Sequence, residues 1–385
     1  MARVRTTIRA AGLVIAATAL AACGSRDYPG ADLDALPADA VGAVSVATIG
    51  LEQTDLLNQN RSLTFLFDAA GNVVGRVEGN DISYTQALAS PGRLVTVSAD
   101  AVTTLTPTTR TEVGIDEFMV QAAVNDPATG TATIWFNSGR ESSFVTLAGD
   151  GHPVSGSVPG LVVVAAQCGD RAVAIARDVT PADAEGRWLA RLVEVPAGGT
   201  PVERGRWFDD PDFSAVSSTG VCTPDGTAML SLHRSPPTPG STEAGLALAR
   251  TELADGARSA EPIKLAGRSS AAPRSLTVVD DRLHWLTREG EVLSVPLDGP
   301  AEARLEWTIP ATGEDIVVSV SGTVVAALHP RQDPPALARY DLVTGEAVSD
   351  PVPLPWLTDI VGSATESGNN TYTVSDLDLL PPSDD

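Results

Sequence analysis

The strongest constraint on the fold is an internal repeat of short apolar runs. Residues 226–233 (GTAMLSLH) return as residues 322–329 (GTVVAALH), and each copy is followed by a proline-rich loop. Ala-Leu-Ala-Arg then follows at 247–250 and at 336–339, and a third Leu-Ala-Arg stands at 189–191. Because a sequence repeat reflects one supersecondary unit used several times, the chain predicts a repeat-built domain.

The turn after this run repeats as well. Residues 340–345 (YDLVTG) match residues 67–71 (FDAAG). An aspartate followed three or four positions later by glycine suits a tight hairpin, because glycine takes the positive φ that such turns require. The repeated run and its turn therefore predict paired antiparallel strands.

The spacing of these units predicts a β-propeller. From Val41 onward the apolar runs are short and separated by Gly, Pro, Asp and Asn, and the one plausible helical piece is short, at residues 52–58. The units lie roughly 40–60 residues apart, which fits about four strands each. The prediction is an all-β fold, a β-propeller of seven blades of four antiparallel strands, closed by both termini.

Six blades can be placed directly and the seventh is composite. The six are expected near residues 82–115, 117–156, 161–208, 214–267, 275–310 and 315–356. Residues 359–377 are interpreted as two strands and residues 62–77 as the outer two strands of a blade. Joined, they would form a seventh blade and remove the open edge of a linear array.

Alternatives to seven blades are six blades, eight blades, or two β-sandwiches divided near residues 156–160. Two sandwiches would not explain the paired repeats. Over about 335 residues the architecture resembles the broad tryptophan–aspartate or quinoprotein-like propeller class. Neither class's signature motif is repeated, so the resemblance concerns architecture.

The first 22 residues have the pattern of an export signal. Three arginines lie within residues 1–9, and residues 10–22 are apolar and small. The apolar run is shorter than the roughly 20 residues that a membrane-spanning helix needs. We therefore expect residues 1–22 to be a signal peptide that is removed.

The signal ends in Leu20, Ala21, Ala22 and Cys23. This motif is similar to the lipobox of bacterial lipoproteins. The resemblance implies cleavage before Cys23 and a diacylglycerol on its thiol, and hence an extracytoplasmic protein anchored to the bacterial cell membrane by lipid. The alternative is an ordinary signal peptide followed by a chance cysteine.

The predicted domain organisation follows from these assignments. Residues 1–22 are the signal peptide, and residues 23–40, with four aspartates from Asp27 onward, are the lipidated cysteine and an acidic flexible tether. Residues 41–378 are the propeller. Residues 379–385 are an acidic mobile tail.

Two cysteines remain once Cys23 is assigned to the lipobox. Cys168 and Cys222 are 54 residues apart, which is one blade, and each ends an expected inner strand. Equivalent ends of neighbouring inner strands lie side by side, so we predict a disulfide between adjacent blades, as suits an oxidising compartment. The alternative is a pair of free buried thiols.

The charge of the chain bears on its partners. The formal net charge is -23, and without the three arginines of the signal 23 basic side chains face 49 acidic ones, a net charge of -26. Such a chain is repelled by phosphate backbones, which argues against nucleic acid as a partner. The charge is interpreted as a solubility feature, with a cationic ligand as the alternative.

We predict no catalytic residue, no metal ligand and no cofactor. His233 and His329 are interpreted as structural histidines at strand ends, and no serine or acid stands at a spacing that would mark His152 as a catalytic base. The acidic loop at Asp209, Asp210 and Asp212 is interpreted as solvated rather than as a calcium site. The predicted function is a lipid-anchored binding or scaffold protein of the bacterial envelope, with a protein or small-molecule ligand at one propeller face. The alternative is an envelope enzyme, namely a hydrolase, a lyase or a quinone-dependent dehydrogenase, with its site at the channel mouth.

Overall fold

The structure is a computed structural model and describes eleven stretches of the chain. They are residues 28–48, 61–80, 85–98, 100–117, 119–149, 152–209, 214–235, 245–264, 270–310, 316–363 and 371–381. Residues 20–23 of the predicted lipobox and the predicted helical piece at 52–58 lie outside the described residues.

The described residues form 28 strands. They are β1 (Gly42–Thr48), β2 (Arg61–Phe67), β3 (Val73–Asn80), β4 (Ala87–Ser90), β5 (Arg93–Val97), β6 (Ala101–Leu105), β7 (Arg110–Gly114), β8 (Val120–Asp126), β9 (Thr131–Asn137), β10 (Glu141–Leu147), β11 (Pro153–Pro159), β12 (Leu161–Cys168), β13 (Arg171–Arg177), β14 (Trp188–Pro196), β15 (Val202–Asp209), β16 (Val221–Cys222), β17 (Ala228–Ser235), β18 (Gly245–Glu252), β19 (Arg258–Ile263), β20 (Thr277–Val279), β21 (Arg282–Leu286), β22 (Glu291–Pro296), β23 (Arg304–Thr308), β24 (Val317–Ser321), β25 (Val324–His329), β26 (Ala336–Asp341), β27 (Ala347–Pro353) and β28 (Tyr372–Leu379). A 3-10 helix, Pro355–Asp359, precedes β28.

The strands form seven four-stranded antiparallel sheets, which confirms the predicted propeller. Blades I to VI are β4–β7, β8–β11, β12–β15, β16–β19, β20–β23 and β24–β27, each with its first strand innermost. Blade VII has the order β28-β1-β2-β3. We call the side on which the innermost strands begin the upper face and the opposite side the lower face.

The sequence repeats occupy equivalent strands. Residues 226–233 and 322–329 supply the second strands β17 and β25, and the Leu-Ala-Arg copies lie in the third strands β14, β18 and β26. Their side chains are mostly buried on both faces because each blade packs between two others. This explains the apolar runs without strict polar alternation.

The repeated turn joins the third and fourth strands. The Oδ1 atom of Asp68 accepts hydrogen bonds from the N–H groups of Ala70 and Asn72, and Oδ1 of Asp341 accepts them from Val343 and Thr344. The glycine that follows has positive φ in both copies, 85° at residue 71 and 72° at residue 345. The match thus reflects one turn geometry used in blades VI and VII.

Blade VII closes the ring, but the two ends of the chain contribute different numbers of strands to it from those predicted. The C-terminal part contributes one strand, β28, and the N-terminal part contributes three, β1 to β3, whereas two and two were predicted. Residues 355–359 are a 3-10 helix that begins with Pro355, and residues 42–48 form a strand that the prediction left unassigned. The predicted closure by both termini is confirmed, since β28 pairs with β1 from Gly42–Leu379 to Thr48–Tyr372.

Residues 28–40 were predicted to be part of a flexible tether, but they pack on the propeller. We call this segment the clasp. Tyr28 is 6% exposed and lies among residues of blades VI and VII, while Leu36 is 8% exposed and lies in the core between blades VII and I. The clasp therefore passes around the outer edge of blade VII, because apolar side chains at both of its ends bury themselves in different interfaces.

Backbone pairing holds the middle of the clasp on the outermost strand β3. The N–H of Arg76 donates to the carbonyl of Ala31 at 2.9 Å, and the N–H of Leu33 donates to the carbonyl of Arg76 at 3.0 Å. Gly75 makes this approach possible, since a Cβ there would overlap the side chain of Leu33. The clasp thereby covers part of an otherwise open sheet edge.

An ion pair joins the clasp to blade I. The Nη1 atom of Arg110, on β7, lies 2.9 Å from Oδ2 of Asp32 and donates to the carbonyl of Leu33 at 3.0 Å.

At the C-terminal end of the domain, the N–H of Leu380 donates to the carbonyl of Val41 at 3.1 Å, so the propeller extends slightly past its predicted end at residue 378.

The predicted disulfide is confirmed. Cys168 ends β12 and Cys222 ends β16, the innermost strands of blades III and IV, and their Cα atoms are 5.7 Å apart. It closes a sequence separation of 54 residues, which in the chain-entropy model corresponds to about 4 kcal/mol.

Tyr28→Ala should destabilise the ring. Its ring contacts those of Phe65 and Tyr372, with centroids 6.5 Å and 6.1 Å away, so truncation removes apolar burial at the VI–VII interface. We expect a loss of about 3 kcal/mol in the free energy of unfolding, measured by urea denaturation.

Tyr28→Phe is the matched control. It removes only the hydroxyl that donates to Tyr372 at 3.3 Å, so the loss should stay near 0.5–1 kcal/mol, roughly that of one neutral hydrogen bond. Equal stability of Tyr28→Ala and wild type would mean that the clasp contributes nothing to the closed ring.

Candidate functional site

A cavity opens on the upper face where blades V, VI and VII meet. Its volume is about 770 Å³, within the range of small-molecule sites. It is bounded by the loop between β25 and β26, the link between blades VI and VII, and the upper ends of β24 and β28. The lining residues are Ala272, Pro273, Arg288, Ile316, Val317, Val318, Pro330, Arg331, Gln332, Asp333, Pro335, Thr358, Val361, Gly362, Thr371, Thr373, Val374, Ser375 and Asp376.

The wall of the cavity is divided by polarity. Nine of the nineteen lining residues are aliphatic or proline and nine are polar or charged, of which Arg288, Arg331 and Asp333 are exposed at the mouth. Asp376, 6% exposed, is the buried charged residue of the lining. A concave wall that combines apolar side chains with polar groups can both bind a ligand and orient it.

Asp376 belongs to a buried cluster with Arg274 and Asp378. Nη1 of Arg274 lies 2.5 Å from Oδ2 of Asp376, and Nη2 lies 2.9 Å from Oδ2 of Asp378. Because residues two apart on a strand point to the same side, β28 presents both carboxylates together. Arg274 lies just before β20, so the pairs link blade V to blade VII.

The cluster also bonds to the innermost strands of blades I and VI. The N–H groups of Ala87 and Ala89 donate to Oδ2 of Asp376 and of Asp378, each at 2.9 Å, and Nη1 of Arg274 donates to the carbonyl of Ala87 at 2.7 Å. The hydroxyl of Ser319, on β24, donates to Oδ1 of Asp378 at 3.0 Å. One cluster thus joins four blades around the channel.

The cluster contains one basic side chain and two acidic ones. Burial raises the pKa of Asp376 to about 6; the Arg274 guanidinium opposes this rise, and the neighbouring Asp378 carboxylate adds to it. Burial works against the charge of Arg274 as well, but the two carboxylates raise its pKa. One cation facing two buried carboxyl groups favours a proton on one of them, which places the titration of Asp376 close to neutral pH.

A second buried group lies between blades III and IV, away from the cavity. Nε2 of His233 lies 2.9 Å from the Ser231 hydroxyl, and Nη1 of Arg258 lies 2.5 Å from Oδ1 of Asp209. Burial, with a smaller effect of Arg258, lowers the pKa of His233 to about 3, so its imidazole is neutral at pH 7. The acidic loop was predicted to be solvated, but Asp209 is buried and forms an ion pair with Arg258. Asp210 and Asp212 lie outside the described residues.

The described ranges contain neither a metal-binding cluster nor a membrane-spanning helix. No three or more His, Cys, Asp or Glu side chains are grouped there so that they could hold a metal ion. Among the same residues, no helix is both long and apolar enough to cross a membrane.

Arg274, Asp376 and Asp378 were not predicted as site residues from the sequence. Two aspartates separated by one leucine inside an inner strand were the available signal, because that spacing puts both on one side of the strand. The misassignment of residues 359–377 as two strands concealed this alternation. No sequence pattern near Arg274 marks it as a site residue, because its partners lie on the distant strand β28. Its positive φ of 55° is likewise a feature of the folded chain.

Comparison with known proteins assigns the chain to no family. No protein-family model and no curated protein matches the chain. Among solved structures, apo AztD from Citrobacter koseri is 11% identical with a TM-score of 0.47, covering 88% of this chain and 97% of that one. A protein from Lactobacillus plantarum is 13% identical with a TM-score of 0.48, covering 89% and 100%. At this similarity the likeness says nothing about ligands.

Asp376→Asn should change how stability depends on pH. The folded pKa of about 6 exceeds the unfolded value of about 3.9. The contribution of Asp376 is therefore complete below the unfolded pKa and is lost as pH rises from about 4 to about 6, by about 3 kcal/mol. Asn cannot titrate, so the stability of wild type relative to the variant should fall by nearly that amount between pH 3 and pH 7 in urea denaturation.

Asp350→Asn, on the exposed strand β27, is the control and should show no such change relative to wild type. Wild-type and Asp376→Asn stabilities that run parallel across this pH range would contradict the proposed charge imbalance of the cluster.

Proposed function

We propose that this chain is a lipid-anchored binding protein of the bacterial cell envelope, and that its ligand binds in the upper-face cavity. The lipobox pattern from Leu20 to Cys23 supports the anchor. The bond between Cys168 and Cys222 supports an extracytoplasmic location, because disulfides persist in oxidising compartments and are rare in the cytosol.

The cavity is the observation that carries the binding role. Its volume of about 770 Å³ suits a small molecule or a protruding side-chain group of a partner protein. Its base is held by the Arg274 cluster, which fixes the innermost strands of several blades. A site on such a rigid support is preorganised, and preorganisation reduces the entropy lost on binding.

Nucleic acid is not the proposed partner. The net charge of the whole sequence is -23, and the phosphate backbone of DNA or RNA attracts proteins through basic side chains. The membrane is the first proposed partner, through a lipid on Cys23, and the cavity ligand is the second.

The anchor is tested by metabolic labelling. Wild-type chain expressed in a bacterial host should incorporate labelled palmitate and fractionate with membranes, and globomycin should block its processing. Cys23→Ala should abolish the labelling because it removes the only thiol at the lipobox. Unlabelled, freely secreted wild-type protein would refute the anchor.

The cavity is tested with the neutral fluorescent probe N-phenyl-1-naphthylamine. The wild type should give a saturable fluorescence increase, because the probe leaves water for an apolar pocket. Thr371→Trp and Thr358→Trp fill the mouth at exposed positions and should reduce the increase severalfold. Thr108→Trp, in an exposed turn of blade I, should leave it unchanged; equal binding by all four proteins would place the probe elsewhere.

The enzyme alternative has one observation in its favour. Asp376 lines the cavity and its pKa is raised to about 6, which suits a general acid or base. Its partners Arg274 and Ala87 already bond to Oδ2, so binding is the better-supported role. Turnover of an ester, glycoside or lyase substrate by wild type but not by Asp376→Asn, with probe binding retained, would favour the enzyme.

A further inference from the structure

We propose that the propeller faces the membrane with the outer strand of blade VI, beside the VI–VII interface. This orientation rests on the lipid anchor proposed for Cys23. It adds a defined contact surface to that anchor, with the lipid headgroup layer as the partner.

The length of chain before the clasp limits how far the ring can stand from the lipid. Cys23 precedes Tyr28 by five residues, which span at most about 18 Å when extended. Tyr28 is buried between blades VI and VII. A domain of this size is roughly 50 Å across, so the anchor holds the rim at this interface near the membrane, while blade III lies on the opposite side of the ring.

The outer strand of blade VI is suited to such an approach. Strand β27 contains a single charged residue, Asp350, and exposes 54% of Val348. Val343, in the turn before it, is 44% exposed. The same turn also exposes Glu346. Because the strand itself has one charged group, it loses less hydration on approaching the headgroup layer than a strand with several charged groups would.

The outer strand of blade III has more charged residues than that of blade VI. Its outer strand β15 also exposes apolar side chains, Val202 at 40% and Phe208 at 53%, but four of its eight residues are charged, two acidic and two basic. Bringing these charged groups against lipid costs them hydration, although their charges cancel. Arg187 lies over the Phe208 ring at 5.2 Å. Val202 is therefore a matched control for Val348, since both are exposed valines on outermost strands of opposite blades.

The test uses the mature chain, residues 23–385, coupled through Cys23 to a maleimide phospholipid in vesicles of phosphatidylcholine and phosphatidylglycerol. Coupling is specific because Cys168 and Cys222 are bonded to each other. p-Benzoylphenylalanine replaces either Val348 or Val202, and protein–lipid adducts are counted by mass spectrometry after irradiation. We expect severalfold more adduct from position 348; comparable yields from both positions would overturn the orientation.

A longer tether provides the second arm. Thirty Gly/Ser residues inserted between Arg26 and Asp27 add a mean span of roughly 30 Å, which should lower the adduct yield at position 348 towards that at 202. An unchanged preference for 348 would overturn the limit set by the short tether. Because the lipid is attached chemically, these outcomes are separate from palmitate labelling, whose failure would remove the natural anchor alone.

Discussion

The closed ring depends on the antiparallel pairing of β28 with β1. Every other neighbouring pair of strands within a blade is close in sequence, whereas this pair joins the two ends of the described chain. Without it, blade VII would lose its innermost strand and blades VI and I would each lose the neighbour that covers them. A seven-bladed ring closed in this way is only as stable as its one non-local sheet.

The molecule concentrates supporting contacts at that sheet. The clasp covers the outer edge of blade VII and buries Tyr28 and Leu36 on its two sides. From the channel side, Arg274 holds Asp376 and Asp378, which both belong to β28. The cavity lies beside the same strand, so the region that closes the ring is also the region that offers a binding site. Ring closure and the cavity therefore share one strand, β28.

Much of the fold was predictable from the chain alone. The repeats at 226–233 and 322–329 mark second strands because the same turn and core contacts recur in each blade, and the cysteine spacing of one blade predicted the disulfide. The 3+1 closure was not predictable in detail, because β28 and β1 have no local partner to set their boundaries. The clasp was taken for a tether, since its aspartates conceal the burial of Tyr28 and Leu36. The Arg274 cluster depends on residues about 100 positions apart, which no local pattern relates.

The disulfide lies at the interface of blades III and IV. The interface of blades III and IV lies diametrically opposite blade VII, so the bond divides the remaining blades into two arcs of three, I–III and IV–VI. If the ring opens at β28, the bond keeps the innermost strands of blades III and IV side by side, in addition to the polypeptide that links these two blades. Reclosure then requires the two halves to approach each other only at blade VII.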